Sequence, residues 1–322
     1  MKMFNRILPD NKGIALITVI LIVSVLVALV IELNRSLRAD IYDAANISDG
    51  IKLTYIAKSG FYGAAVLLGE SDKEYETLRD EWANMEALSM QSSQLFDAGY
   101  FIVRVEDEAG KIPLNKLVEG NEYNPVVRDI LQRLLRQPEF GLDEGQVNEI
   151  VDSIKDWIDE DSAVTGSGAE SLYYSTLDPP YEAKNAPLDC IEELLMIKGI
   201  TREIFNGTME KPGMSAYVTT DSGEGAININ TAPVMVLRAL SEAITPEVAK
   251  KMDEYRRGAD NDLSSWQWYK EFTGVDIPAP LTVSSNYFKI YSTGKMNEME
   301  QTINANVIRD GKSIKIAKWR VD

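Results

Sequence analysis

Residues 13–31 form a run of nineteen positions without a charged side chain, beginning at Gly13 directly after Lys12. About twenty apolar residues in a helix are enough to cross a bilayer. The apolar core of a secretory signal is shorter, at roughly 7–15 residues, and is followed by small residues at a cleavage site. Here Glu32 and Arg35 follow instead. The run is therefore predicted to stay in the protein as a membrane anchor.

The charges that flank the run indicate its orientation. Lys2, Arg6 and Lys12 precede it, and Arg35 and Arg38 follow it. Positive charge is enriched on the cytoplasmic side of membrane helices. Three basic residues against two favour a cytoplasmic N-terminus, with the large C-terminal part on the other side of the membrane.

The helix is predicted to continue well beyond the anchor. Apolar residues recur at spacings of three and four from Leu33 and Leu37 onward, and no proline occurs up to Leu68. This is the pattern of one long helix that is apolar all round in its first half and amphipathic in its second half.

Composition restricts the chemistry of the remaining chain. Lys and Arg total 33 and Asp and Glu total 50, which gives a net charge of −17 and disfavours general binding to nucleic-acid phosphates. The chain has no histidine, so it lacks the commonest general base and the usual zinc ligand. Cys190 is the only cysteine, which excludes an intrachain disulfide and is typical of a small buried residue. These features argue against an enzyme.

Strands are predicted both before and after a helical block, which indicates an α+β fold. The strand pattern YFIVRV occupies 100–105, and paired strands are predicted at 287–293, 301–309 and 313–321 around the Asp310-Gly311 turn. Helical periodicity lies between them, with Thr231 and Thr245 as N-cap candidates and Pro246 at the first helical position. The block at about 118–215 is interpreted as an insertion into the α+β domain.

The densest oxygen cluster is the stretch DWIDEDSAVTGSGAE. It places Asp156, Asp159, Asp161 and Glu170 within fifteen residues, and its glycines allow the loop to fold back. Calcium takes six to eight oxygen ligands of this kind, although the spacing differs from an EF-hand. A calcium site and a solvated acidic helix end are both consistent with the residues.

Two further segments allow more than one interpretation. Residues 194–201 and 230–257 resemble helix-hairpin-helix elements, which bind DNA phosphates through a glycine turn and nearby bases. Acidic residues outnumber the bases around both segments, which favours hairpins kept for packing. Trp266 and Trp268 are interpreted either as core anchors or as a contact to a partner.

The start of the chain resembles the leader of type IV pilin-like proteins. A short basic segment ends in Lys12-Gly13 and is followed by Ile14 and the apolar helix. The resemblance implies that a prepilin peptidase cuts after Gly13 on the cytoplasmic side and that Ile14 is then methylated. An uncleaved anchor with a chance Lys-Gly pair is the alternative.

One difference from most members of that family indicates which class of pilin-like protein the chain resembles. Most pilins and pseudopilins carry Glu at the fifth mature position, where its charge can pair with the N-terminal amine of a neighbouring subunit. The fifth residue from Ile14 is Thr18. A subunit without this Glu is expected at the tip of a fibre, where no subunit lies above it. Among type II secretion proteins, the K-type minor pseudopilin is known for lacking it.

Further stretches are similar to the K-type minor pseudopilins over most of the chain. They occur in the family's order and are VEDEAGKIPLNKL (105–117), DWIDED (156–161), GAESLYYSTLDPPYEAKNAPL (168–188), ELLMIKGIT (193–201), AININTAPVMVLRAL (226–240), NYFKIYSTG (286–294) and the terminal KWRVD. The resemblance implies a pilin-like long N-terminal helix packed on a small antiparallel sheet, with a large, mainly helical insertion. The expected regions are a leader (1–13), a transmembrane helix (14–33), a pilin-like domain in two parts (34–117 and 216–322) and the insert (118–215).

The resemblance also implies a function and a site. The protein is expected to be a non-enzymatic, single-pass protein of the bacterial inner membrane, with its bulk in the periplasm. Its expected partners are the I- and J-type minor pseudopilins, with which it would start and cap the pseudopilus used for protein export. No nucleic-acid partner is expected. Because K-type proteins bind calcium in the insert, Asp159, Asp161 and Glu170 are the expected ligands, with Asn185 as a neutral one.

Three other functions are consistent with parts of the sequence. A membrane-tethered DNA-binding protein would rest on the two hairpins. A minor pilin of a type IV pilus would share the leader and the long helix. A hydrolase that uses the carboxylates of 156–170 would need no histidine.

Overall fold

The computed structural model describes residues 12–71, 74–221 and 223–322, except for the side chain of Lys12. The α-helices in these ranges are α1 (Lys12–Glu70), α2 (Met85–Ser89), α3 (Pro125–Leu135), α4 (Glu144–Ile158), α5 (Ser171–Tyr174), α6 (Arg202–Asn206), α7 (Val234–Leu240), α8 (Pro246–Arg257) and α9 (Lys270–Thr273). The β-strands are β1 (Tyr100–Asp107), β2 (Ile112–Pro113), β3 (Val118–Glu119), β4 (Glu122–Tyr123), β5 (Val218–Thr219), β6 (Ile227–Asn228), β7 (Leu281–Thr282), β8 (Tyr287–Met296), β9 (Met299–Asp310) and β10 (Ser313–Val321).

The long N-terminal helix predicted from the spacing is confirmed, because α1 runs without a break for 59 residues. Polar side chains in its apolar stretch bond to the helix itself. The hydroxyls of Thr18 and Ser24 donate to the carbonyls four residues earlier, at 2.9 and 2.8 Å. Within the described ranges, α1 is the one helix that is long and apolar enough to cross a membrane, with a mean hydropathy of 3.4 in its most apolar window.

The chain divides into two compact units within α1, between Tyr55 and Ile56. In the first unit, the large apolar side chains from Ile14 to Leu33 are each at least 50% exposed. The second unit has hydrophobic cores of its own, as expected of a folded domain.

One of these cores lies between the end of α1 and an antiparallel sheet. The sheet has the strand order β1-β8-β9-β10, and β8 alternates half-buried and buried residues, the pattern of a strand with one covered face. The residues of α1 in this core are three or four positions apart and almost fully buried: Ala57, Phe61, Ala64 and Leu68.

Close packing of α1 on the sheet depends on Gly60. A Cβ atom at this position would lie 2.4 Å from the hydroxyl of Ser292 and 2.8 Å from a methyl group of Val103. The Ser292 hydroxyl donates to the carbonyl of Ala57 at 2.7 Å, so the helix backbone and the strand are in direct contact here. The fold is therefore α+β, as predicted, with a pilin-like helix on an antiparallel sheet.

The second core is mainly helical and extends from Ile112 to Ala279. Its main helices, α3, α4, α7 and α8, bury their apolar faces in it. Residues 218–279, which the sequence assigned to the second pilin-like part, contribute to this helical core. The predicted boundary at residue 215 therefore does not coincide with a division between the two cores.

A buried carboxylate joins the sheet to the helical core. Asp107 at the end of β1 accepts hydrogen bonds from the hydroxyls of Ser285 and Thr231 at 2.5 and 2.6 Å, and from the amide of Asn228 at 3.1 Å. The prediction that Thr231 caps a helix was wrong, because α7 begins only at Val234 and the Thr231 hydroxyl bonds to Asp107 instead.

The second predicted cap is confirmed. The Thr245 hydroxyl accepts from the amide of Val248, and Pro246 occupies the first position of α8. This cap depends only on local backbone geometry, whereas the environment of Thr231 is set by distant parts of the chain.

Candidate metal centre

Three carboxylates converge where the chain folds back between α4 and α5. Asp156 lies in the last turn of α4, Asp159 ends that helix, and Glu170 immediately precedes α5. Each offers a carboxylate oxygen, and these oxygens lie within 4.8 Å of one another. All three residues are buried, with Asp156, Asp159 and Glu170 exposed by 0%, 1% and 3%.

Several oxygens at this site lack a hydrogen-bond donor. Neither carboxylate oxygen of Glu170 has a partner among the described residues, and Oδ1 of Asp159 also has none. The amide oxygen of Asn185 is buried and unpaired as well. Buried polar atoms are almost always hydrogen-bonded, and an unpaired carboxylate is costly. Oxygens left in this state are suited to a cation.

The electrostatics agree with this interpretation. Burial, followed by the charges of Asp156 and Asp159, raises the pKa of Glu170 to about 7. Burial also raises the pKa of Asp156 and of Asp159. The ammonium of Lys155 forms an ion pair with Asp159 and donates to the Thr165 hydroxyl at 2.9 Å. It supplies one positive charge against three carboxylates.

The loop before Glu170 needs its glycines for this arrangement. Gly166 has φ +50°, and a Cβ atom there would lie 2.3 Å from the carboxylate of Asp152. A Cβ atom at Gly168 would lie 2.2 Å from the carboxylate of Asp156. Amides of the loop donate to the same two carboxylates, from Ser167 to Asp152 at 2.9 Å and from Thr165 to Asp156 at 3.1 Å. The loop is thus fitted closely around the end of α4.

The four residues predicted as ligands have different positions and hydrogen-bond partners in the structure. It brings Asp159 and Glu170 together in the cluster. The carboxylate of Asp161 instead accepts from the amide of Ala163 at 2.7 Å. The side-chain amide of Asn185 donates to the backbone carbonyl of Asp161 at 2.6 Å, which leaves the Asn185 oxygen free.

Asp156 takes part in the cluster although it was not among the predicted ligands. It lies three residues before Asp159 in sequence, and residues three apart lie on the same face of a helix. This spacing was the available signal. The residues present fit a hard cation such as calcium, because the free donors are carboxylate and amide oxygens.

The predicted processing site lies at the start of α1. Gly13 and Ile14 belong to the helix and are exposed, whereas the preceding leader up to residue 11 lies outside the described residues. The Thr18 hydroxyl donates a hydrogen bond to the carbonyl of Ile14. The fifth position after Gly13 thus has a polar group whose hydrogen bond lies within its own helix.

Lys198, the basic residue of the segment 194–201, is bound to the loop between α4 and α5, residues 159–170, which we call the acidic loop. The ammonium of Lys198 donates to the carbonyl of Ser167 at 3.0 Å and pairs with Glu149 at 3.1 Å. These contacts connect residues 194–201 to the candidate metal site and give the hairpin a role in packing.

Trp268 is a core anchor. Its side chain is 6% exposed, and its indole N–H donates to the amide oxygen of Asn230 at 2.8 Å. Its ring stacks on Tyr255. This burial favours the core interpretation over a partner contact at this residue.

Comparisons with known proteins converge on one family. The model of the family "Type II secretion system (T2SS), protein K" matches residues 110–209, which include the acidic loop. Type II secretion system protein K of Pseudomonas aeruginosa is 28% identical, over 95% of this chain and 91% of its own length. The protein of the same name from Aeromonas hydrophila is 25% identical over 96% of each chain.

A solved structure shares the fold. A chain in the crystal structure of the GspK-GspI-GspJ complex from the type 2 secretion system of enterotoxigenic Escherichia coli aligns with a TM-score of 0.64. The alignment covers 87% of this chain and 99% of that chain, at 20% identity. With its apolar N-terminal helix and its α+β fold, this chain is similar along almost its whole length to proteins named type II secretion system protein K.

Proposed function

We propose that this protein is a minor pseudopilin that joins I- and J-type subunits at the tip of a type II secretion pseudopilus. In this position it starts assembly of the fibre and caps it during protein export. Its role is structural, and the carboxylates of the acidic loop hold the fold instead of performing catalysis.

The observation that carries this proposal is similarity along the whole chain. The two relatives named protein K match over 95% and 96% of the chain. The fold match is to a chain crystallised in a GspK-GspI-GspJ complex. We infer that the same kinds of partner bind here.

The chemistry of Thr18 supports a place at the tip. A Glu inside the apolar stretch would need a positive partner, because an unpaired charge within the membrane is costly. The Thr18 hydroxyl is already bonded to the carbonyl of Ile14, at 2.9 Å. This subunit therefore requires no partner above it at this position.

The helical core supports the capping role. It extends from Ile112 to Ala279, in addition to the core that α1 forms with the sheet. We propose that this bulk prevents a further subunit from adding above the protein. The cap would then act by steric exclusion.

We further propose that the chain is processed and inserted as a pilin-like protein. A prepilin peptidase removes residues 1–13, Ile14 is methylated, and α1 spans the inner membrane with the bulk of the chain in the periplasm. Intact-mass measurement after co-expression with a prepilin peptidase tests this step. A chain that still begins at Met1 would contradict it.

Calcium is proposed as a structural ion of the acidic loop. Asp156, Asp159 and Glu170 would hold it, and the free oxygen of Asn185 is a further candidate. When bound, the ion supplies the positive charge that these buried carboxylates lack. The chain's own contribution is to position the oxygens through α4 and the glycine loop.

Co-purification tests the assembly role. The full-length chain, expressed in membranes with tagged I- and J-type subunits of its own system, is expected to co-purify with both. The same subunits without this chain are the control for recovery of the I–J pair alone. Absence of the chain from the purified subunits would overturn the proposed function.

A further inference from the structure

The strand β1 lies at one end of the four-stranded antiparallel sheet, so in the described part of the chain only one of its two edges is paired with another strand. An unpaired strand edge presents backbone N–H and C=O groups that can pair with a strand of another molecule. Folded proteins usually cover or block such edges. The groups that cover β1 therefore bear on whether copies of this chain stay separate.

The sequence of β1 is well suited to pairing with itself. Residues 100–105 read YFIVRV, with aromatic or β-branched residues at five of six positions, a single charge, and neither proline nor glycine. Short segments of this composition form stacked strands when they are exposed. An uncovered β1 edge would therefore promote association between copies of this chain.

The segment 85–95, which consists of α2 and the following 3₁₀ helix Met90–Leu95, covers this edge with two serine hydroxyls. The Ser92 hydroxyl accepts from the amide of Phe101 and donates to the carbonyl of the same residue, each at 3.0 Å. The Ser89 hydroxyl accepts from the amide of Val103 at 3.1 Å. Ser92 thus makes the two backbone hydrogen bonds that a neighbouring strand would make to Phe101.

The two serines match the edge in spacing and in burial. They lie three positions apart along helical turns, and the amides that they bind lie two positions apart along a strand, so each set faces one side of its element. Ser89 and Ser92 are only 3% and 4% exposed, which distinguishes them from serines of an ordinary surface turn. The Ser89 hydroxyl also donates to the carbonyl of Glu86 at 2.8 Å, which fixes its orientation towards β1.

The second half of the segment has little apolar packing of its own. Met85, at the start, is buried in the core between α1 and the sheet. Further along, Leu88 is 52% exposed, and Met90 and Leu95 are both 71% exposed. Because these side chains bury little apolar surface, the hydrogen bonds of Ser92 contribute much of what holds this half against β1.

We propose that the 85–95 segment protects the edge of β1 from strand addition by a second copy of this chain, with the Ser89 and Ser92 hydroxyls in place of the missing strand. Since helical turns bond their own backbone groups, the segment covers the edge without presenting a new strand edge. The inference concerns this chain alone and does not depend on the proposed assembly with I- and J-type subunits.

The test compares a Ser89→Ala, Ser92→Ala double variant of the full-length chain in detergent with the wild type. Ser93→Ala is the matched control, because Ser93 is an exposed serine of the same 3₁₀ helix. Hydrogen exchange at the amides of Phe101 and Val103 is expected to be at least tenfold faster in the double variant and unchanged in the control. Chemically cross-linked dimers and larger species are expected to increase at least fivefold in the double variant only.

A lysine on β1 shows whether this association uses the β1 edge. Lysine on an edge strand opposes pairing, so adding Ile102→Lys to the double variant should return cross-linking to the wild-type level. The fast exchange at Phe101 and Val103 should remain. Leu172→Lys makes a similar change at a position of α5 that is 82% exposed, and it should leave the association unchanged.

Three results would overturn the inference. They are unchanged exchange at Phe101 and Val103 in the double variant, faster exchange without added association, and association that Ile102→Lys and Leu172→Lys reduce equally. If the double variant fails to fold, Ser92→Ala and Ser92→Thr repeat the comparison with a smaller change. The threonine keeps the hydroxyl and should keep the slow exchange at Phe101, whereas equal exchange in these two variants would contradict the proposal.

Discussion

Replacing Glu170 by Gln should have opposite effects with and without calcium. In the presence of a chelator, the wild-type protein keeps a buried carboxylate whose two oxygens lack partners. A neutral amide removes this charge, and its N–H groups can donate to the nearby carboxylates of Asp156 and Asp159. An unsatisfied buried group costs about 1–3 kcal/mol, so the variant should be more stable without calcium by about that amount.

In the presence of calcium the order of stability should reverse, so that the wild type is more stable than Glu170→Gln. An ion that binds only the folded state at a hundred times its dissociation constant stabilises that state by about 2.7 kcal/mol. At about 2–4 °C per kcal/mol, calcium should raise the midpoint of the wild type by about 5 °C or more. The Glu170→Gln variant should lose most of this response, because one of three clustered carboxylates is gone.

The dependence of stability on pH provides a further test of the predicted direction of the Glu170→Gln effect. The pKa of Glu170 is raised to about 7, so the folded state retains its proton between about pH 4.5 and 7, where the unfolded state has released it. Stability without calcium should therefore fall as pH rises through this range. The advantage of Glu170→Gln in chelator should accordingly be larger at pH 8 than at pH 5.5.

The assay is thermal unfolding of the detergent-solubilised chain, followed by intrinsic tryptophan fluorescence, with chelator or with calcium. Glu160→Gln is the matched control, because it makes the same chemical change at an exposed position of the same loop. An equal calcium response in Glu170→Gln and wild type would refute the reasoning. Destabilisation of Glu170→Gln in chelator would refute the claim that the carboxylate is unpaired.

Other substitutions test the fold around the site. Asp107→Asn should lower the free energy of unfolding by about 2–3 kcal/mol in urea titration, because an amide can accept fewer of the bonds that Ser285 and its neighbours donate. Gly60→Val should destabilise the protein by about 1–3 kcal/mol in the same titration, because its side chain would overlap Ser292. Gly168→Ala should weaken calcium binding in isothermal titration calorimetry, because the added methyl would displace a carboxylate of the site.

Local sequence patterns were sufficient for several elements. The absence of proline and the spacing of apolar residues predicted α1, and the paired strands predicted at 287–293 and 301–309 lie within β8 and β9. The cap at Thr245 was also predictable, because its hydroxyl bonds to an amide only three residues away. Such interactions depend on neighbours in sequence, so the pattern contains the information.

The first cap candidate, Thr231, illustrates what local patterns miss. Thr231 has the residue type of an N-cap, yet its hydroxyl donates to Asp107, 124 residues earlier in the chain. A buried acceptor competes with local capping, and only the fold brings that acceptor close. The extent of the helical core, from Ile112 to Ala279, likewise depends on which distant surfaces pack together.

By itself, the sequence determined the membrane helix, the absence of a charge at Thr18 and the acidic stretch around α4. These properties follow from residue type and spacing along one helix. Tertiary structure decided which of the acidic residues meet. The loop turns back at Gly166 and Gly168, where a Cβ atom would overlap a carboxylate. This turn brings Glu170 to the end of α4. Asp161 instead accepts a hydrogen bond from an amide of its own loop. Convergence of these oxygens depends on how the loop closes in three dimensions, which residue spacing in the sequence does not specify.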